Sequence, residues 1–233
     1  MVGDIRKHLV ALTGAGISKE SGLNTFRDSG GLWEGYRPEE VATPEAWKRD
    51  PEMVLRFYNE RREQVRRAKP NKAHYLLAKL EEHFDVTVIT QNIDNLHEKA
   101  GSSRVIHLHG EILKARSTED ASLIVDLGEK NIELGDLCPK GSQLRPHVVW
   151  FGEEVPEMQR AVTEVARSDI FVIIGTSLVV YPAASLIGYV RYGTSVYLID
   201  PNPPANIEIK GEIIKAPATV GMENLYKKLI QST

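Results

Sequence analysis

Two imidazoles stand two residues apart in "VIHLHGEI" (105–112), His107 and His109. Val105, Ile106, Leu108 and Ile112 alternate with polar residues, which reads as a strand running into a turn at Gly110. On a strand, residues i and i+2 share a face. Such a pair can bind a metal, move a proton or fill space. An unperturbed imidazole titrates near pH ~6.5, which suits a group that must accept a proton and return it. The spacing alone leaves all three uses open.

Three further strings put reactive or ligand-binding groups just after apolar runs. "TGAGIS" (13–18) holds Gly14, Ala15 and Gly16, where a backbone can approach a phosphate closely and a following helix start offers free N–H groups. The third glycine of the usual dinucleotide fingerprint is missing, and Lys19 holds its place. "QNIDNLH" (91–97) crowds Gln91, Asn92 and Asp94 around one strand end. They read either as the cap of a helix or as buried polar groups whose partners a polar ligand supplies. "GTS" (175–177) is the third such terminus.

The elements that must position these residues follow from hydrophobic patterning. Branched apolar runs occur at 8–13, 86–90, 104–108, 147–151, 170–175 and 195–199. Segments with helical spacing lie at 72–84, 156–168 and 182–193. Continuous apolar strands alternating with helices predict an α/β fold: a doubly wound parallel sheet covered on both faces. Ligands of such sheets bind beyond the carboxyl ends of the strands, so the strings above converge on one edge. Two stretches break the alternation. Residues 35–68 carry helices opened by Thr43-Pro44 and Asp50-Pro51, each an N-cap followed by proline. Residues 111–146 are polar and rich in turns. The predicted division is a Rossmann-like domain of 1–34, 69–110 and 147–233, with a small domain of 35–68 and 111–146.

Composition excludes several classes. The 233 residues are 42% hydrophobic and 26% charged with a net charge of −3, so no basic field for nucleic acid is expected. No apolar run approaches the ~18 residues of a membrane span. The opening "MVGDIRKHLVALTG" lacks a secretory h-region, and the single cysteine, Cys138, excludes an internal disulfide. A cytoplasmic monomer is expected.

Taken together, "GAGIS", "GLNTFRD" with "GGLW", "TQNIDNLH", "LHG", "RPHVVWFGE" and "GTSLVVYPAA" resemble, in order, the motifs of the sirtuin family of NAD-dependent protein lysine deacylases. "APA" (216–218) is a weaker match. The resemblance implies a Rossmann-like domain with a small domain built from two insertions, NAD as cosubstrate and acylated lysine as substrate. It implies that Gly14, Ala15, Gly16 and Ser18 hold the pyrophosphate, and that Thr25, Phe26, Arg27 and Trp33 form the cofactor loop. Gln91, Asn92, Ile93 and Asp94 then surround the nicotinamide and its ribose. Gly175, Thr176 and Ser177 line the adenosine side, with Ala218 near the adenine. Where the family often has Asn, this chain reads "LIDPNP", so Asp200 is the expected ribose acceptor, with Asn202 beside it. His109 matches the catalytic histidine, assisted by Asn92 and Asp94, and His107 matches no family role.

The chain departs from the family in the small domain. Most relatives carry two Cys-x-x-Cys pairs that close a zinc site. Here Ser117 and Asp120 stand at the first pair, and only Cys138 remains of the second, with Gly141 where a cysteine is expected. One thiolate, one hydroxyl and one carboxylate make a poor zinc site, so no metal is expected.

The acyl preference is written into 51–69. Val54, Tyr58, Val65 and Ala68 form an apolar helical stripe in which Arg61 takes one position. A snorkelling arginine is the plain explanation. Tyr58 and Arg61 also match the Tyr-x-x-Arg pair of sirtuins that prefer acidic acyl groups such as succinyl, malonyl or glutaryl. Val149, Phe151 and Val180 are expected beside the lysine stem. Two rivals remain. A short-chain dehydrogenase is suggested by Tyr75 and Lys79 at Tyr-x-x-x-Lys spacing, without that family's glycine pattern. The other is a catalytically weak NAD-binding or ADP-ribosylating module.

Overall fold

The computed structural model describes residues 6–23, 35–204 and 210–231. Strands β1 (His8–Thr13), β2 (Asp85–Thr90), β3 (Val105–His107), β7 (Ile170–Ile174), β8 (Ser195–Ile199) and β9 (Glu212–Ile214) form one sheet. Its order is β3-β2-β1-β7-β8-β9, and every pairing is parallel. The central strand β1 is buried along its whole length, which is why it reads as a continuous apolar run.

Alternate residues of these strands feed two cores. Leu9, Ala11, Val86, Val88, Val172 and Ile174 face helices α5 (Lys72–Lys79) and α8 (Ala218–Gln231). Val10, Leu12, Ile89, Phe171 and Ile173 face α7 (Met158–Ala166) and a 3-10 turn at Ala183–Tyr189. Each such side chain contributes roughly 1.5–3 kcal/mol by leaving water. The expected helix over 182–193 is that shorter 3-10 turn. The exposed edge strand β9 has no counterpart among the apolar runs, because pairing to β8 rather than burial makes it a strand.

Three more strands, β4 (Gly110–Ser117), β5 (Ile124–Asp126) and β6 (Leu144–Val148), make a separate antiparallel sheet of order β5-β4-β6. Here the sequence reading needs correction. The run at 147–151 was expected to be one of the parallel strands. Instead β6 covers 144–148, pairs with β4, and residues 149–151 leave the ladder. An apolar run reports burial, not which sheet buries it. Gly110 permits the join: its φ is +78°, and a Cβ there would lie 2.2 Å from the His147 carbonyl oxygen.

Three helices, α2 (Pro38–Val41), α3 (Pro44–Arg49) and α4 (Pro51–Arg67), pack on one another, and α4 lies against β4 and β6. Thr43 Oγ1 accepts from Ala46 N–H at 3.1 Å and Asp50 Oδ1 from Met53 N–H at 2.9 Å, the two expected caps. A third core joins Val54, Phe57 and Tyr58 of α4 to Ile93, Leu96, Ile112 and Trp150, fixing α4 against the carboxyl edge of the large sheet. Among the described residues no helix is long and apolar enough to cross a membrane.

Candidate active site

The ends of β1, β2 and β7 meet at one point. Gly14 N–H donates to the Ile174 carbonyl at 3.0 Å and Gly16 N–H to the Gly175 carbonyl at 2.8 Å. A Cβ on Gly16 would lie 2.6 Å from Gly175 Cα, and one on Gly14 2.7 Å from Thr176 Cβ. These glycines are therefore set by the close passage of two backbones, a constraint that holds before any phosphate is considered. The helix that follows, α1 (Ala15–Lys19), is a single short turn with no side-chain cap on Gly14.

Around this turn Gln91, Asn92 and Asp94 of "QNIDNLH" bond to groups on the neighbouring strand ends and α1. Gln91 N–H donates to the Thr13 carbonyl at 2.9 Å, and its Nε2 to Thr176 Oγ1 at 3.0 Å. Asn92 Nδ2 lies 3.1 Å from both the Gly14 carbonyl and Ser18 Oγ. Ser18 Oγ donates to Asp94 Oδ2 at 3.0 Å, while Asp94 Oδ1 accepts at 3.0 Å from the N–H of Leu96, the first residue of α6 (Leu96–Lys99). The helix cap expected among these residues falls instead on Asn95, which makes no side-chain cap bond, and Asp94 belongs to a buried polar cluster whose partners are protein groups. Its carboxyl is raised above the usual range by burial, against which the helix N–H, Ser18 and the charges of His107 and Arg61 act.

His109 Nδ1 stands 2.9 Å from the Gln91 carbonyl oxygen. A carbonyl only accepts, so Nδ1 carries the proton and the neutral ring presents an unprotonated Nε2. Burial lowers the pKa of His109, and the Gln91 carbonyl only partly offsets it. The backbone holds the ring in turn, because the His109 carbonyl accepts from Val149 N–H at 2.9 Å. The arrangement supplies a neutral base seated on the carbonyl of Gln91, the residue that precedes Asn92.

Sequence reasoning missed the support beneath this cluster. Thr13 Oγ1 donates to Thr90 Oγ1 (2.9 Å), which accepts from Asn92 N–H (3.1 Å), and the fully buried His97 bonds Thr13 Oγ1 through Nε2 (2.9 Å). His74 packs edge-on against His97 with ring centroids 4.9 Å apart, and burial lowers its pKa to about 4. Both threonines end strands quoted in the sequence, but only the parallel register Thr13↔Thr90 reveals them as a pair.

The remaining predicted residues fall around this centre. Ile93 packs into the third core. Ser177 is partly exposed and Thr176 buried. Asp200, buried at the end of β8, accepts from the N–H of exposed Asn202 at 2.8 Å. Ala218 starts α8 within the first core. Thr25, Phe26, Arg27 and Trp33 lie outside the described residues. Tyr58 is fully buried, and its hydroxyl accepts from Trp150 Nε1 at 3.1 Å, which leaves its own proton to donate; burial raises its pKa. Arg61, 8% exposed, donates from Nη1 to Gln64 Oε1 at 3.3 Å. The adjacent Arg62, which the stripe argument overlooked, is fully buried and donates from Nε to the Ile112 carbonyl at 2.8 Å, tying α4 to β4. Phe151 is half exposed, with Val149 and Val180 partly so. Tyr75 is exposed, and Lys79 sits over the Tyr226 ring at 5.6 Å, so the dehydrogenase pair has no site.

At the far end of the small sheet, Cys138 Sγ lies 3.4 Å from Ser117 Oγ, and Asp120 Oδ2 lies 2.8 Å from Lys140 Nζ. Gly141 turns there with φ +85°. Among the described residues no group of three His, Cys, Asp or Glu side chains could hold a metal.

An all-parallel sheet with a polar cluster on its carboxyl edge defines a Rossmann-like α/β protein. The Sir2 family model matches residues 14–182, and the chain belongs to that family. A curated NAD-dependent protein deacylase of Bacteroides thetaiotaomicron is 54% identical over 230 residues, covering 96% of this chain and 98% of that protein. One of Helicobacter pylori J99 is 52% identical over 226 residues, covering 97% and 96%. The crystal structure of a Sir2 homologue–NAD complex superposes with a TM-score of 0.88 at 44% identity, covering 97% of this chain and 91% of the other.

Proposed function

We propose that the chain is an NAD-dependent protein-lysine deacylase that moves the acyl group from lysine to ADP-ribose and releases nicotinamide. The observation that carries this reading is His109, whose Nδ1 is committed to the carbonyl of Gln91, the residue that precedes Asn92, so that Nε2 is left unprotonated as a base. The donor set fits NAD: paired glycines at a strand end, an amide and hydroxyls at the next, and a buried acid, Asp200, at the end of β8. NAD supplies a sugar carbon that becomes electrophilic as nicotinamide departs, open to the acyl oxygen of the substrate. His109 Nε2 accepts the proton of a ribose hydroxyl, so that the hydroxyl oxygen can take up the acyl carbon. Its depressed pKa keeps it unprotonated at neutral pH. Asn92 and Asp94 orient the ribose and the carboxamide, and Ile93 walls the nicotinamide. Thr25, Phe26, Arg27 and Trp33 are assigned to cofactor binding by their match to the family's motif. The protein acts in the cytoplasm on acylated proteins, as a monomer, without binding nucleic acid or membrane.

The acyl pocket favours acidic chains. This reading is supported by the Arg61 charge, which acts to lower the pKa of Asp94, and by the Tyr58 hydroxyl, which keeps a proton to donate. Val149, Phe151 and Val180 flank the lysine stem. The small lobe folds without zinc. Ser117 and Cys138 face each other, Asp120 is paired with Lys140, and Leu55, Ala115, Leu127, Ile132 and Leu144 form a core beneath them.

Nicotinamide release from NAD with matched acetyl-, succinyl- and unmodified lysine peptides tests both levels. Release that depends on an acylated peptide is the expected result, and release indifferent to the peptide contradicts the assignment. Arg61→Met should lower desuccinylation at least about tenfold more than deacetylation; equal losses contradict the acyl preference.

A further inference from the structure

His107 is the imidazole for which the family resemblance offers no task. Its side chain is only 9% exposed. Nε2 lies 2.6 Å from Glu98 Oε1, and Nδ1 lies 3.3 Å from the Asn92 carbonyl oxygen. Both partners accept only, so both ring nitrogens must carry protons and the ring is an imidazolium. Burial alone would push its pKa down, but the bond and charge of Glu98, the charge of Glu111 and the Asn92 carbonyl raise it overall. His107, at the end of β3, and His109, in the turn that follows, thus meet two consecutive carbonyls, Asn92 and Gln91. The first ring is a cation and the second is neutral.

We infer that His107, locked as a cation by Glu98, is a positioning residue of the reaction: it holds the Asn92 carbonyl and thereby the Asn92–Asp94 segment in its working geometry. Asn92 is otherwise fixed by its N–H on Thr90 and by its side-chain amide on Gly14 and Ser18. The carbonyl is the one backbone atom of Asn92 that His107 alone restrains among the described bonds. The imidazolium also lowers the pKa of buried Asp94, as Arg61 does.

The clamp should depend on pH. Facing His107 are Glu98 and buried neutral His97 on α6, Asp94 in the loop, and Glu111 on β4, itself paired with Lys114 at 2.7 Å. Once His107 loses a proton, its remaining one can serve Glu98 or Asn92, and the other oxygen faces a lone pair. Glutamine at position 98 removes that conflict, because its amide can donate to a neutral ring that still donates Nδ1–H to Asn92.

The inference rests on the deacylase reading, and acyl-peptide-dependent nicotinamide release by the wild type tests that reading first. Given that activity, His107→Leu should lower kcat about tenfold or more with the KM for peptide little changed, as expected of a misplaced catalytic segment. The wild type should lose kcat as pH rises past the His107 pKa. Glu98→Gln should flatten that alkaline fall and keep more activity than Glu98→Ala. A wild-type kcat in His107→Leu, or an unchanged alkaline fall in Glu98→Gln, would overturn the clamp. Melting temperatures measured alongside separate it from a folding defect: a kcat loss matched by a collapse in stability counts against positioning, and a loss at unchanged stability supports it.

Discussion

The carboxyl edge of the large sheet and the far end of the small one are both polar, yet they are built differently. At the edge, Ser18, Asn92, Asp94 and Thr90 are buried in one bonded cluster, in which Ser18 lies 76 residues from Asp94 and 74 from Asn92. At the far end, Asp120 bonds Ser122 and Lys140 near the surface, above a small core that includes Ile132 and Leu144. The first arrangement fixes directions, since buried polar groups that exchange bonds have few alternatives. The second fixes only a fold, through apolar packing with solvated groups outside it. The first suits chemistry and the second suits support.

That contrast can be broken by exchanging consequences. The largest effect is expected at the edge. His109→Ala should lower turnover by about 10²–10⁴, the usual worth of a positioned base, with the protein still folded and still binding NAD. Steady-state kinetics with calorimetric NAD titration checks this, and near-normal turnover would dissolve the distinction. In the small lobe the reverse is expected. Ile132→Ala, at a fully buried position, should cost about 2–5 kcal/mol in urea denaturation while kcat at low temperature stays near wild type.

A smaller effect sharpens the comparison through pH. His74 has a folded pKa of about 4, below the unfolded value near 6.5, because burial disfavours its charged form. Between those values the native state binds fewer protons than the unfolded one. The contribution is therefore complete above pH ~6.5 and is lost as pH falls toward about 4, amounting to at most about 3 kcal/mol. His97, lowered by burial in the same direction, adds to the trend. Urea midpoints from pH 7 to 4 should fall in the wild type and fall less in His74→Gln. Parallel curves would place the acid sensitivity elsewhere.

Much of the edge was legible because its motifs encode backbone events. Glycines at 14 and 16 mark two chains passing closely, and Thr43-Pro44 and Asp50-Pro51 mark helix starts. Partnerships between distant side chains were not legible. Thr13 and His97 are 84 residues apart, and Arg62 reaches a carbonyl 50 residues away. His107 and Glu98 are only nine apart, but no local period brings a strand end onto a helix. The stripe argument singled out Arg61 because a charge breaks an apolar face. It passed over Arg62, whose buried head is invisible without β4. The strand misassigned at 147–151 shows the same limit, since hydrophobicity records burial and leaves the partner unnamed.

The account turns on the proton of one ring. Long-range ¹H–¹⁵N NMR of histidine-labelled protein reads the tautomer and pKa of His109 directly. The account predicts a neutral ring at pH 7, protonated on Nδ1, titrating below 6.5. An Nε2-protonated ring, or one still cationic at pH 7, would contradict it.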